Sequence, residues 1–99
     1  MPRVDAIATA FCDKQVARPM HAPNGAGGCP GCIAVDPKKI LYGSNIKVFA
    51  RGTNNLLYEG VACDYCGAAV RNPGYLVDVW YPNNTQCNTW GRKNVTIEF

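Results

Sequence analysis

Short alternations of apolar and polar residues recur along the chain and predict β-strands joined by turns. The alternation over Ile7–Cys12, over Ile46–Arg51 and after Pro73-Gly74 has the two-residue period of a strand, in which successive side chains point to opposite faces. Gly60 interrupts a further predicted strand and indicates a β-bulge. The remaining predicted strands are Ile33–Val35, Leu56–Cys63 and Asn94–Phe99, the last of which would bury Val95, Ile97 and Phe99.

The segment after Pro73-Gly74 has the most informative alternation. One face of this predicted strand carries Tyr75, Val77, Val79 and Tyr81. On the other face, Asp78 lies between Leu76 and Trp80, so that an acidic residue occupies the middle of an apolar strand.

Helix signals are few in this sequence. Asn83 or Asn84 can cap a short helix over Thr85–Trp90 that ends at Gly91, with Cys87 on the same inward face as its last residue.

Asp36 followed by Pro37 is typical of the start of a helical turn and gives Asp36 a structural role. About six short strands, one helix and one helical turn argue for a small β-barrel rather than a layered α/β fold. An irregular stretch rich in proline and glycine, from Asp13 to Cys32, separates the first two strands and contains His21, the only histidine.

Length, composition and charge narrow the class of protein. The 99 residues suffice for one domain, and 47% apolar with 17% charged residues is an ordinary globular composition. No apolar run reaches the roughly 18 residues of a membrane span, so we expect none. The net charge of +3 comes from scattered residues rather than a basic stripe, which argues against nucleic-acid binding.

Six cysteines favour disulfides and an extracellular location, although the N-terminal sequence lacks the features of a signal peptide. The alternative is a zinc site made from two C-x-x-C pairs, Cys29 with Cys32 and Cys63 with Cys66. Zinc would leave Cys12 and Cys87 unexplained, whereas disulfides can use all six cysteines. We therefore place disulfides first and expect no metal and no cofactor.

Among the seven carboxylates, Asp78 is the candidate for acid–base chemistry. Its predicted neighbours Leu76 and Trp80 are apolar, and such surroundings raise the pKa of a carboxyl group toward the value that a general acid needs. The alternative is that this face is simply open to water and that Asp78 has no special role.

Several motifs occur in the order found in the three-aspartate (3D) domain of secreted bacterial cell-wall proteins, which the chain resembles from about Ile7 to Phe99. This domain is related to the catalytic barrel of the membrane-bound lytic transglycosylase A family. The matching segments are Val35-Asp36-Pro37, Ala62-Cys63-Asp64, Gly67-Ala68-Ala69-Val70, Val77-Asp78-Val79-Trp80 and Trp90-Gly91-Arg92.

The resemblance implies a double-psi β-barrel that cleaves the glycan strands of peptidoglycan without consuming water. By the match, Asp78 would be the general acid and base, Asp64 its supporting neighbour and Asp36 a structural residue. One acid suffices because the substrate's own 6-hydroxyl closes a 1,6-anhydro ring, unlike the paired carboxylates of ordinary glycosidases.

The chain departs from the family pattern around Asp64. It has Tyr65-Cys66 where the family usually has Thr-Gly, Arg71 where the family has Lys, and a longer turn at Asn72-Pro73-Gly74. The candidate sugar-binding residues are Tyr65, Arg71, Tyr75, Trp80 and Tyr81. The alternatives to an enzyme are a carbohydrate-binding barrel without activity, as in expansin-like proteins, a structural barrel of a secreted or phage assembly, and a zinc-stabilised module.

Overall fold

The computed structural model describes residues 2–12 and 30–99, which contain six strands and two helices. Most of the irregular stretch, with His21 and Cys29, lies outside the described residues. In chain order the elements are β1 (Arg3–Phe11), β2 (Cys32–Val35), β3 (Asn45–Ala50), β4 (Leu56–Tyr65), α1 (Gly67–Arg71), β5 (Tyr75–Trp80), α2 (Asn84–Trp90) and β6 (Lys93–Glu98).

The strands form one closed barrel in the order β1-β5-β2-β4-β3-β6. Two of the pairings are parallel, β1 with β5 and β2 with β4, and the other four are antiparallel. Closure leaves none of these strands with an unpaired edge. The predicted small six-stranded barrel is confirmed.

The barrel consists of two equivalent halves, β1-β2-β3 and β4-β5-β6. Exchanging β1 with β4, β2 with β5 and β3 with β6 leaves every strand pairing and its direction unchanged. The approximate twofold axis passes between the paired residues Ala34 and Asp78 on one side of the barrel, and between Val48 and Ile97 on the other. This interlocked symmetry is what a double-psi barrel requires.

The core follows the same symmetry. Equivalent positions of the two halves supply Ile33 and Val77, Val35 and Val79, Ile46 and Val95, and Ala8 and Ala62, all fully or almost fully buried. From β1, the small residues of the alternation face this interior, together with Val4, whereas Ile7 and Phe11 lie on the outer face.

The local predictions around β5 and α2 are confirmed. Val77 and Val79 are buried in the interior, and Asp78 lies on the opposite face of the strand. Asn83 caps α2 by accepting a hydrogen bond from the backbone N–H of Gln86 at 2.9 Å. Gly91 ends the helix with a φ of 68°, a conformation that favours glycine.

Gly60 was wrongly predicted as a bulge. The register shifts of β4 lie elsewhere, opposite Ile33/Ala34 and opposite Val48/Phe49. Gly60 instead lies directly against Gly31, and a Cβ at this position would overlap the carbonyl oxygen of Gly31. Close backbone approach, rather than an irregular ladder, explains this glycine.

Of the predictions about helical segments, one is confirmed and one needs correction. The helical turn predicted after Asp36 is present, because the Asp36 carbonyl oxygen accepts hydrogen bonds from the backbone N–H groups of Lys39 and Ile40 at 2.9 Å and 3.0 Å. Asp36 also caps this turn as expected, with Oδ1 accepting a hydrogen bond from Lys38 N at 2.9 Å. The sequence did not predict helix α1 at Gly67–Arg71. It forms because Ala69 packs with Leu76 of β5 and Ile7 of β1 on the outside of the barrel. Neither described helix is long and apolar enough to cross a membrane.

Candidate functional site

Four residues form a lateral row across four adjacent strands. Thr9 of β1 pairs with Asp78 of β5, Asp78 pairs with Ala34 of β2, and Ala34 pairs with Asp64 of β4. Laterally paired residues project from the same face of a sheet, which is here the outer face of the barrel. The row brings together two of the three aspartates predicted from the sequence, with the small side chain of Ala34 between them.

Asp78 is half-buried in the middle of this row. Its Oδ1 accepts a hydrogen bond from the Thr9 hydroxyl at 2.9 Å. Burial raises the pKa of the Asp78 carboxyl to about 6, with the hydrogen bond from Thr9 opposing the shift and the charge of Asp64 adding to it. Near neutral pH this group exists in both protonation states, as a residue that first gives and then takes a proton requires.

Asp64 is more deeply buried, with 3% of its surface exposed. Its Oδ1 accepts a hydrogen bond from the backbone N–H of Tyr65 at 2.8 Å, whereas its buried Oδ2 has no partner among the described residues. Burial raises the pKa of the Asp64 carboxyl, and the Tyr65 N–H opposes that rise. Two strand spacings put the Cα atoms of Asp64 and Asp78 about 10 Å apart, so the carboxyls influence each other through charge rather than direct bonding.

A small apolar cluster on the outer surface adjoins the row. Ala34, Leu76, Ala69 and Cys66 are buried in it, and α1 supplies the outermost layer. Burial raises the pKa of the Cys66 thiol, and the nearby charge of Asp78 raises it further. The thiol is thus kept protonated beside Asp78, which disfavours a cysteine nucleophile here.

The described residues also contain a disulfide, which lies next to the row on the same face of the barrel. Cys32 and Cys63 are bonded, and the Trp80 ring packs against them. A cavity of about 350 Å³ opens beside this ring; it is lined by Pro30, Gly31, Tyr58, Glu59, Trp80, Tyr81 and Pro82. Trp80, two residues after Asp78 on β5, projects from the same face as that acid and forms one wall of this aromatic cavity.

The other predicted sugar-binding residues are divided between two places. Tyr65 is 52% exposed and follows Asp64 directly, while the guanidinium of Arg71 lies over Gly67 at the start of α1. Tyr75 lies on the opposite face of β5 from Asp78 and packs against Phe99 with ring centroids 5.5 Å apart.

Tyr81, directly after β5, also packs against the interior of the barrel. Its ring contacts Tyr58 and Trp90, with centroids 5.5 Å and 5.8 Å away. The structure thus groups Tyr65, Trp80 and Arg71 with the acid row or its neighbouring helix, and places Tyr75 in the packing of the barrel. Tyr81 belongs to both the packing and the wall of the aromatic cavity.

The zinc alternative fits the described residues poorly. The disulfide takes one cysteine from each C-x-x-C pair, which removes two of the four proposed thiolate ligands. Cys66 is buried and Cys29 lies outside the described residues. Within residues 2–12 and 30–99, no group of three or more histidine, cysteine or acidic side chains could hold a metal ion.

Sequence reasoning missed Thr9 and Tyr42. Thr9 gave no signal, because its role depends on a parallel pairing between β1 and β5 that no local pattern reveals. Tyr42 lies near Asp64 and Asp36, whose charges, with burial, raise the pKa of its hydroxyl.

Comparison with known proteins adds no relationship to this geometry: no family model, curated protein or solved structure matches the chain.

Proposed function

We propose that this barrel cleaves the glycan strands of peptidoglycan in the manner of a lytic transglycosylase, with Asp78 as the general acid and base. The observation that carries the proposal is the Asp78 carboxyl itself, half-buried, hydrogen-bonded to Thr9 and with a pKa of about 6. The resemblance to the three-aspartate domain supplies the substrate class. The disulfide fits an oxidising compartment, as an extracellular or cell-wall location requires.

In the proposed reaction, protonated Asp78 donates its proton to the oxygen of the β-1,4 bond between N-acetylmuramic acid and N-acetylglucosamine. The bond from that oxygen to C1 of the muramic residue breaks as the charge develops there. The Asp78 carboxylate then takes the proton of the muramic 6-hydroxyl, whose oxygen bonds to C1. The products are a 1,6-anhydro end and a free N-acetylglucosamine end, and Asp78 is protonated again.

The other residues of the site have supporting roles in this proposal. The Thr9 hydroxyl fixes the orientation of the Asp78 carboxyl. Burial raises the pKa of Asp78, and the charge of Asp64 adds to that rise. Trp80 and Tyr65 offer ring faces for sugar stacking, with Arg71 as a polar contact at the edge. Asp36 holds the turn after β2 and takes no part in the reaction.

The test is digestion of purified peptidoglycan, followed by mass analysis of the soluble products. We expect 1,6-anhydro ends with the unmodified protein and a loss on the order of 10²–10⁴-fold with Asp78→Asn. Asp5→Asn is the matched control, because the Asp5 side chain is 73% exposed and lies at a distance along β1 from the row. Undigested glycan with the unmodified protein would contradict the proposal.

A second candidate, favoured by the aromatic cavity beside Trp80, is a carbohydrate-binding barrel without catalysis. It predicts that the unmodified protein and Asp78→Asn bind peptidoglycan equally well and that neither releases products. Binding that weakens with Trp80→Ala, in the absence of cleavage, would favour this candidate.

A further inference from the structure

Cys12 and Cys87 form a second cysteine pair, remote in sequence and separate from the buried disulfide. Cys12 directly follows β1, and Cys87 lies on α2, which packs against β1. The Cys12 thiol donates a hydrogen bond to Asn84 Oδ1 at 2.7 Å. Asn84 and Cys87 are three residues apart on the helix and therefore lie on one face, directed toward Cys12.

Neighbouring backbone contacts keep the Cys12 and Cys87 thiols close to each other. One anchor is the backbone N–H of Tyr81, which donates to the carbonyl oxygen of Phe11 at 3.0 Å and ties the end of β5 to the end of β1. Burial raises the pKa of the Cys87 thiol, and the neighbouring thiol of Cys12 raises it further. Both side chains are half-buried and unoxidised in this structure, so a small reagent can reach them.

We propose that Cys12 and Cys87 are joined in a second structural disulfide when the protein meets an oxidising low-molecular-weight disulfide. One protein thiolate attacks a sulfur of the reagent, whose S–S bond breaks and releases one thiol. The second protein thiolate then attacks the resulting mixed disulfide and releases the other thiol. Two protein thiols and one reagent disulfide thus give one protein disulfide and two reagent thiols.

The crosslink would clamp α2 and the segment Tyr81–Asn83 against β1. This segment joins Trp80 to α2, and its first two residues line the aromatic cavity. The inference is independent of the proposed function, because it concerns only the covalent state of the chain.

Peptide mapping tests the pairing directly. The protein is incubated with oxidised glutathione, free thiols are alkylated under denaturing conditions, and trypsin is added without reduction. Trypsin places Cys12 and Cys87 on separate peptides, residues 4–14 and 72–92, and the other four cysteines on residues 15–38 and 52–71. We expect a linked peptide 4–14/72–92. Alkylated Cys12 and Cys87, or either one linked to another peptide, would overturn the proposal.

Thermal unfolding tests the clamp. In oxidising buffer, Cys12→Ser and Cys87→Ser should each lower the Tm by on the order of 10 °C, and the double variant should lose no more than either single variant. In reducing buffer, Cys12→Ser should match the unmodified protein, because its hydroxyl keeps a donor toward Asn84. Equal Tm values for all of these proteins in oxidising buffer would overturn the clamp.

Discussion

Two symmetry-related contacts join the halves of the barrel: Thr9 of β1 donates a hydrogen bond to Asp78 of β5, and at the equivalent positions Asp64 of β4 pairs with Ala34 of β2. The alanine has no hydrogen-bonding side chain, and within residues 2–12 and 30–99 one buried Asp64 oxygen has no partner. Strand connectivity is the same in both halves, and only the side chains differ. The symmetric scaffold sets the row, and the side chains at two pairs of equivalent positions, Thr9/Asp64 and Asp78/Ala34, separate a positioned acid from a buried one.

A second pair of symmetry-related contacts differs in size. Ala6 of β1 pairs with Tyr75 of β5, and at the equivalent positions Gly60 of β4 lies against Gly31. Ala6 carries a Cβ, whereas the backbone of Gly31 is too close to Gly60 for one. Symmetry-related positions therefore tolerate different residues.

The largest expected effect on stability comes from giving Gly60 the Cβ that Ala6 carries at the equivalent position. Gly60→Ala puts a methyl group into the Gly31 carbonyl and should lower the free energy of unfolding by about 3 kcal/mol, since the backbone must shift. The measurement is urea unfolding. Gly74→Ala is the control, because the nearest atom to its Cβ would be 3.7 Å away, an ordinary contact. Equal unfolding curves for the two variants would contradict the close approach.

The next effect is the pH dependence of stability that Asp78 causes. Its pKa rises from 3.8 to about 6 on folding, so the folded state binds the proton more tightly than the unfolded state. Stability contributed by the neutral carboxyl is present in full below pH 4 and is lost as the pH rises through 6. Asp78→Asn mimics the neutral form. Compared with the unmodified protein, it should be similar at pH 4 and more stable at pH 7, by up to about 3 kcal/mol.

Urea unfolding of both proteins at several pH values measures that difference. Asp5→Asn, unfolded under the same conditions, is the control for removal of an exposed carboxyl. A constant difference between the unmodified protein and Asp78→Asn from pH 4 to pH 7 would show that burial does not perturb the carboxyl.

Removal of the Thr9 hydroxyl should have a smaller effect. Thr9→Val keeps the shape of the side chain but takes away the hydrogen bond that lowers the pKa of Asp78. We expect the Asp78 pKa to rise by about one unit or less, with the pH optimum of glycan cleavage moving in the same direction. Thr9→Ser retains the hydroxyl and should restore the original profile. An unchanged profile in Thr9→Val would remove Thr9 from the site.

The smallest effect is expected from a change at Asp64, which lies on the far side of Ala34 from Asp78. Asp64→Asn removes a negative charge that raises the pKa of Asp78, so this pKa should fall by a fraction of a unit. Carbon-detected NMR of the Asp78 carboxyl across pH measures the change. A rise in the pKa would contradict the charge coupling across Ala34.

The parts of this fold that the sequence could predict are the local ones. The faces of β5, the Asn83 cap and the Gly91 terminator each depend on residues a few positions apart. The position of α1 and the Gly31–Gly60 contact depend on which distant segments pair. Alternation identifies a strand but not its neighbour, so these features had no local signal.

The same distinction applies to the candidate site. Asp78 could be singled out from its apolar neighbours within one strand, and Asp64 from its place in the motif order. Their partners could not, because Thr9 and Ala34 are 69 and 44 positions away from Asp78 and meet it only through the strand register. Only the strand register of the barrel brings Thr9, Asp78, Ala34 and Asp64 into one row.

The Asp78 carboxyl, held by Thr9 on the outer face of the barrel, is poised to exchange a proton near neutral pH. NMR titration of the Asp78 side-chain carboxyl carbon tests this most directly. We predict a midpoint near pH 6, about two units above the ordinary aspartate value. A midpoint near 4, the ordinary aspartate value, would show that the barrel does not perturb this carboxyl.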